Sequence, residues 1–127
     1  MGNKILMIDD DPDFVESVKT LLESKGYNVS TSLKGEEGFE KAKEVKPDLM
    51  LLDVMMPNAD GFDIARHLHD EEITRDIPII IISGIRKKMN LSFGFEPDAT
   101  WLPVKAVLEK PVKPEILIKA VEEHIKK

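Results

Sequence analysis

The sequence predicts an α/β domain: a doubly wound, five-stranded parallel sheet flanked by helices on both faces. Three observations carry this. Short apolar runs alternate with stretches of helical periodicity along the chain, which is the pattern of βαβ units. The runs are continuously apolar, as strands are when both their faces are buried. They also end abruptly in Asp, Ser or Lys, at the strand ends where open parallel sheets bind ligands. Crossovers in such a sheet are right-handed almost without exception.

The first strand is expected at Ile5-Leu6-Met7-Ile8, stopped by Asp9-Asp10-Asp11. Asp11 is a candidate N-cap, and Pro12 opens the first helix where its missing N–H costs nothing. Phe14, Val18, Leu21 and Leu22 share one face of that helix, and Gly26 stops it. Tyr27–Thr31 reads as the second strand. Gly35–Val45 reads as the second helix, with Gly38, Phe39, Ala42 and Val45 inward. Pro47 ends it, because a residue before proline is pushed out of the helical region.

Leu49–Leu52 is the third strand and runs into Asp53. Pro57 to Gly61 reads as a turn, followed by a third helix with Ile64, Ala65 and Leu68 on one face. Pro78 precedes the β-branched run Ile79–Ile82, the fourth strand, which ends at Ser83-Gly84. Val104–Leu108 is the expected fifth strand, followed by Glu109-Lys110-Pro111. Pro114 opens the last helix, with Leu117, Ala120, Val121, His124 and Ile125 inward and Lys126 and Lys127 at its negative end. Between the last two strands, Met89 to Pro103 reads as an irregular loop where a fourth helix is due. It mixes turn-forming residues with Phe93, Phe95 and Trp101, expected to be a small cluster pinning the loop.

The 127 residues fit one domain, taken as residues 1–127, long enough to bury its own core. There are no cysteines, which removes disulfides, thiolate metal sites and a cysteine nucleophile and fits a cytoplasmic location. The net charge of −6 argues against direct nucleic-acid binding. No apolar run approaches the roughly 18 residues of a membrane span, so no membrane insertion is expected. The N-terminus carries no signal-peptide h-region, and Leu6 stands where a myristoylation motif wants Ser or Thr.

A parallel sheet would bring Asp9, Asp10, Asp53, Ser83 and Lys110 to one rim. Clustered carboxylates repel one another and need a cation; oxygen-only ligands select a hard one, and Mg²⁺ is the usual choice beside phosphate. A carboxylate such as Asp53, kept ionised there, can attack phosphorus and form an acyl phosphate. Lys110 would spread the charge on the phosphoryl oxygens, Ser83 could donate a hydrogen bond to one of them, and Gly84 leaves room. His67 and His69 do not share a helix face, so with His124 they read as surface or packing residues. Arg86-Lys87-Lys88 reads as a solvated basic run.

On these residues the chain resembles the receiver domains of two-component response regulators, of the stand-alone type. The matching motifs are Asp9-Asp10, Asp53 followed by Met56-Pro57 and Asp60-Gly61, Ser83-Gly84, and Lys110-Pro111. The resemblance implies a flavodoxin-like, CheY-like sheet order of 2-1-3-4-5. It implies that Asp53 takes a phosphoryl group from the phosphohistidine of a sensor histidine kinase or phosphotransfer protein. It implies Mg²⁺ bound by Asp10, Asp53 and the Met55 backbone carbonyl, with Asp9 assisting, and a cis bond before Pro111. It further implies output to a downstream protein through the face built from the fourth helix, fifth strand and fifth helix.

The chain departs from the family pattern in two places. Val107 stands where an aromatic switch residue is usual. The segment from Ser83 to Lys110 is loop-like in composition and longer than usual by roughly five residues. The loop and Trp101 are the expected substitutes for the switch. An unphosphorylated pseudo-receiver would lack an acidic or lysine position, and none is lost here. An aspartyl-phosphate phosphatase often places a second acid two residues after its nucleophile, where this chain has Met55. The expectation is therefore a signalling module rather than an enzyme, a monomer or weak dimer. It would be either a stand-alone regulator or part of a longer protein.

Overall fold

A computed structural model describes residues 3–53, 55–56, 59–83, 105–110 and 112–125. Five strands form one parallel sheet: β1 (Lys4–Ile8), β2 (Asn28–Ser32), β3 (Leu49–Leu52), β6 (Ile79–Ser83) and β7 (Ala106–Glu109). Their spatial order is β2-β1-β3-β6-β7, so the sheet strands, numbered along the chain, run 2-1-3-4-5 as expected. The described helices are α1 (Pro12–Glu23), α2 (Gly35–Val45), α3 (Gly61–Asp70) and α4 (Pro114–His124). A short antiparallel ribbon, β4 (Met55–Met56) with β5 (Ala59–Asp60), stands where only a turn was expected. The Met89–Pro103 loop and Trp101 lie outside the described residues. No described helix is long and apolar enough to cross a membrane.

Period-two alternation divides the core between the two faces. Leu6, Ile8, Met50, Leu52, Ile79 and Ile81 pack with Ala42 of α2 and Leu68 of α3, and Val107 leans on this side. Ile5, Met7, Leu49, Leu51, Ile80 and Ile82 face the other way, against Val15, Val18 and Leu22 of α1 and Leu117, Ala120 and Val121 of α4. Val15 belongs to the buried stripe of α1, whereas Phe14 and Leu21 flank it half-buried. His124, expected inward, is half-buried at the end of α4.

The helix ends follow local chemistry. Asp11 caps α1, its side chain accepting from the N–H groups of Asp13 and Phe14 at 3.1 and 3.2 Å. Gly26 closes the other end at φ 95°, a region open mainly to glycine, and Tyr27 N–H reaches back to Leu22 O. Lys46, before Pro47, does leave the helical region, but into the left-handed one at φ 52°. Its N–H still bonds Ala42 O at 2.9 Å as the last bond of the helix, while the left-handed conformation itself costs roughly 1–2 kcal/mol. Buried Thr74 donates to Leu68 O at 2.6 Å and fastens the connection between α3 and β6.

Candidate functional site

The register fixes the rim. Ile8 lies opposite Leu52, so the next residues, Asp9 and Asp53, stand level with each other. Two backbone bonds carry the ladder past the strand ends: Asp53 N–H to Ile8 O at 2.9 Å and Asp9 N–H to Ser32 O at 3.1 Å. Both carboxylates are therefore buried, Asp9 at 1% exposure and Asp53 at 4%, while Asp10 faces solvent. Ser83 closes β6 opposite Glu109, and Lys110 follows one residue later.

Strand parity selects the side. Asp9 continues the series Ile5, Met7; Asp53 continues Leu49, Leu51; and Lys110 continues Ala106, Leu108. All three series point to the α1–α4 side. There the Lys110 ammonium lies 2.9 Å from Asp9 Oδ2 and 3.7 Å from Asp53 Oδ2. It also sits 4.6 Å from the centre of the Phe14 ring, in the first turn of α1. Asp9 Oδ1 accepts the Asp11 N–H at 3.0 Å, so the turn entering α1 is tied to the acidic site.

Carboxylate oxygens of Asp9, Asp10 and Asp53 lie within 4.8 Å of one another. Ligands on opposite sides of a Mg²⁺ ion are about 4.2 Å apart, so small side-chain rotations would close this group on one cation. The donor set is all oxygen. Asp9 Oδ2, although close to Lys110, has no donor in hydrogen-bonding alignment among the described residues. These residues fit a hard divalent cation. The Asp9 carboxyl is held above its ordinary pKa, chiefly by burial. The Asp11 N–H and the Lys110 ammonium pull it down, and the negative charge of Asp53 lifts it further.

Asp9, Asp10, Asp53 and Lys110 thus come together as the sequence suggested. Met55 lies in β4, just beyond Asp53, and Ser83 at the end of β6. Gly84 and Pro111, with its expected cis bond, lie outside the described residues. Val107 falls on the opposite side of the sheet from Lys110. The sequence places Phe14 only on the core stripe of α1, whereas in the structure its ring also meets Lys110. Parity of the strand ends, with the short step from Asp9 to the first turn of α1, was the signal available.

The comparisons with known proteins agree with this geometry. The response regulator receiver domain family matches residues 5–122. The regulator RpaA of Synechocystis is 36% identical over 96 residues, covering 76% of this chain but only 40% of RpaA. Protein PilH of Pseudomonas aeruginosa is 31% identical over 118 residues, 93% of each chain. Among solved structures, the receiver domain of a P. aeruginosa sensor histidine kinase superposes with a TM-score of 0.83, covering 98% of both chains at 23% identity. That structure carries a magnesium ion coordinated in its active site cleft. Sheet order, rim and family match converge, and the chain belongs to the response regulator receiver domains.

Proposed function

We propose that Asp53 is a phosphoryl acceptor, charged by the phosphohistidine of a sensor histidine kinase or phosphotransfer protein. A carboxylate oxygen of Asp53 attacks phosphorus, the P–N bond breaks, and the electron pair leaves with the imidazole, which is reprotonated by solvent. The observation that carries this reading is the grouping of Asp53, 4% exposed, with Asp9, Asp10 and Lys110 on one rim.

The other residues have supporting roles. Asp9, Asp10 and Asp53, with the Met55 carbonyl, would hold Mg²⁺. When bound, the cation neutralises the carboxylates and the charge on the phosphoryl oxygens. Lys110 binds a phosphoryl oxygen through its ammonium, Ser83 donates a hydrogen bond to another, and Gly84 leaves space. Signal passes to a downstream protein. Val107 has no ring to swing, so Trp101 and its loop are the candidates for the moving part.

The test is incubation with acetyl phosphate and Mg²⁺, followed by intact-mass measurement. One phosphoryl adduct on the wild type, absent from Asp53→Ala, is expected. An adduct that survives Asp53→Ala would move the acceptor elsewhere.

A further inference from the structure

We propose that Phe14 is a positioning residue for Lys110, its ring holding the ammonium in place over Asp53. This rests on the reading of Asp53 as the acceptor.

The ammonium has three N–H donors and, among the described residues, lies near two carboxylates and a ring: Asp9 at 2.9 Å, Asp53 at 3.7 Å and Phe14 at 4.6 Å. The shortest contact is also the least dependable. Asp9 belongs to the group of carboxylates that fits a cation, and a cation there competes with Lys110 for the charge of that carboxylate. Once Asp9 is engaged, the ring is the neighbour that stays. A ring face attracts a cation over a broad area within about 6 Å of its centre, with no single hydrogen-bond direction. Lys110 can therefore shift from Asp9 toward a phosphoryl oxygen on Asp53 without losing that contact.

The backbone that carries the ring is itself tied to the site. Asp9 Oδ1 accepts the Asp11 N–H at 3.0 Å, and Asp11 Oδ1 accepts the Phe14 N–H at 3.2 Å. Two hydrogen bonds thus connect the acidic site to the residue that carries the ring. Packing alone does not require an aromatic at this position. Phe14 is half-buried and packs on the edge of the α1-side core, and a leucine would supply apolar cover there too while offering no negative face.

The experiment has two arms on the full chain. In the first, the rate of phosphorylation by acetyl phosphate with Mg²⁺ is followed by intact mass. Phe14→Leu is expected to slow it roughly two- to fivefold, the factor a part-exposed cation–π contact supplies, and Phe14→Trp is expected to retain it. In the second, NMR of the metal-free protein reads the Lys110 Cε protons. A ring beneath the ammonium shifts them upfield of the other lysines. That shift should vanish in Phe14→Leu and persist in Phe14→Trp.

Equal rates in wild type and Phe14→Leu would overturn the positioning role while leaving the acceptor reading intact. A wild type that takes no phosphoryl group would overturn both. Should Phe14→Leu not fold, the wild-type proton shift and the Phe14→Trp rate decide: an unshifted Lys110 overturns the proposal, and a shifted one with full Phe14→Trp activity supports it.

Discussion

The Lys110 ammonium stands closer to Asp9 than to Asp53, at 2.9 against 3.7 Å, and Asp9 is the more deeply buried of the two carboxylates. Lys110 is thus a counter-charge for the acidic site before any phosphoryl group arrives. Removing it leaves the buried Asp9 charge without its opposite charge, with the Asp11 N–H still in place. Breaking a fully buried pair costs about 3–5 kcal/mol. The Lys110 side chain is 26% exposed, so solvent screening reduces this to about 1–3 kcal/mol. Lys110→Met is expected to lose that much stability in urea unfolding with chelator present. Asp9→Asn placed in the same chain should restore most of it, because the stranded charge is gone. Additive effects of the two changes would show that the pair is not coupled.

The Asp9 carboxyl gives a pH signature of known sign. Its pKa in the folded chain is raised from 3.8, chiefly by burial. Between those two values the folded state binds more protons than the unfolded one, so stability falls as pH rises through the window. The contribution is present below 3.8 and fully lost above the raised folded value. Urea unfolding of metal-free protein at a series of pH values should show this decline, and Asp9→Asn should flatten it. Near neutral pH, Asp9→Asn should therefore be more stable than wild type without metal.

Magnesium should reverse that penalty. A ligand that binds only the folded state stabilises by about 2.7 kcal/mol at a hundredfold excess over its dissociation constant. Wild-type thermal stability is therefore expected to rise with Mg²⁺ concentration and to fall back on addition of chelator. Asp53→Asn removes one of the three grouped carboxylates, and its response should be much weaker. An undiminished response in Asp53→Asn would place the cation elsewhere.

Much of this site was legible because the sheet is so regular. Ile79–Ile82 and Leu49–Leu52 are apolar throughout, so their ends are unambiguous and the polar residues just past them had to meet at one rim. Parity was available too, since Asp9, Asp53 and Lys110 each lie an even number of residues from inward positions on the α1 side. What the sequence did not disclose depends on tertiary distance. Nothing in the spacing ranks Asp9 above Asp53 as the partner of Lys110. Phe14 fits the apolar stripe of α1 well enough that its second contact goes unnoticed. The β4–β5 ribbon was hidden because two-residue strands carry no periodicity. Lys46 takes the left-handed conformation rather than the extended one expected before Pro47, and nothing in the residue spacing announces it.

Gly38 links the second helix to the acidic rim. It packs on Ile8, the residue before Asp9, and a Cβ built on Gly38 runs into Ile8 Cδ1 and Cγ1. Helix propensity alone would favour alanine by up to about 1 kcal/mol. Against it stands overpacking of a fully buried side chain, costing about 1–3 kcal/mol, and Ile8 at 0% exposure cannot swing into solvent. Gly38→Ala is therefore expected to lower stability by roughly 1–2 kcal/mol, the overlap outweighing the propensity gain. Ile8→Val removes Cδ1 and on its own should cost about 0.5–1.5 kcal/mol. Combined with Gly38→Ala it should cost less than the sum, by about 0.5 kcal/mol or more, because the added methyl then occupies the vacated space. Urea unfolding of the four chains measures that coupling. Strict additivity would mean that α2 moves away from β1 instead of pressing on Ile8.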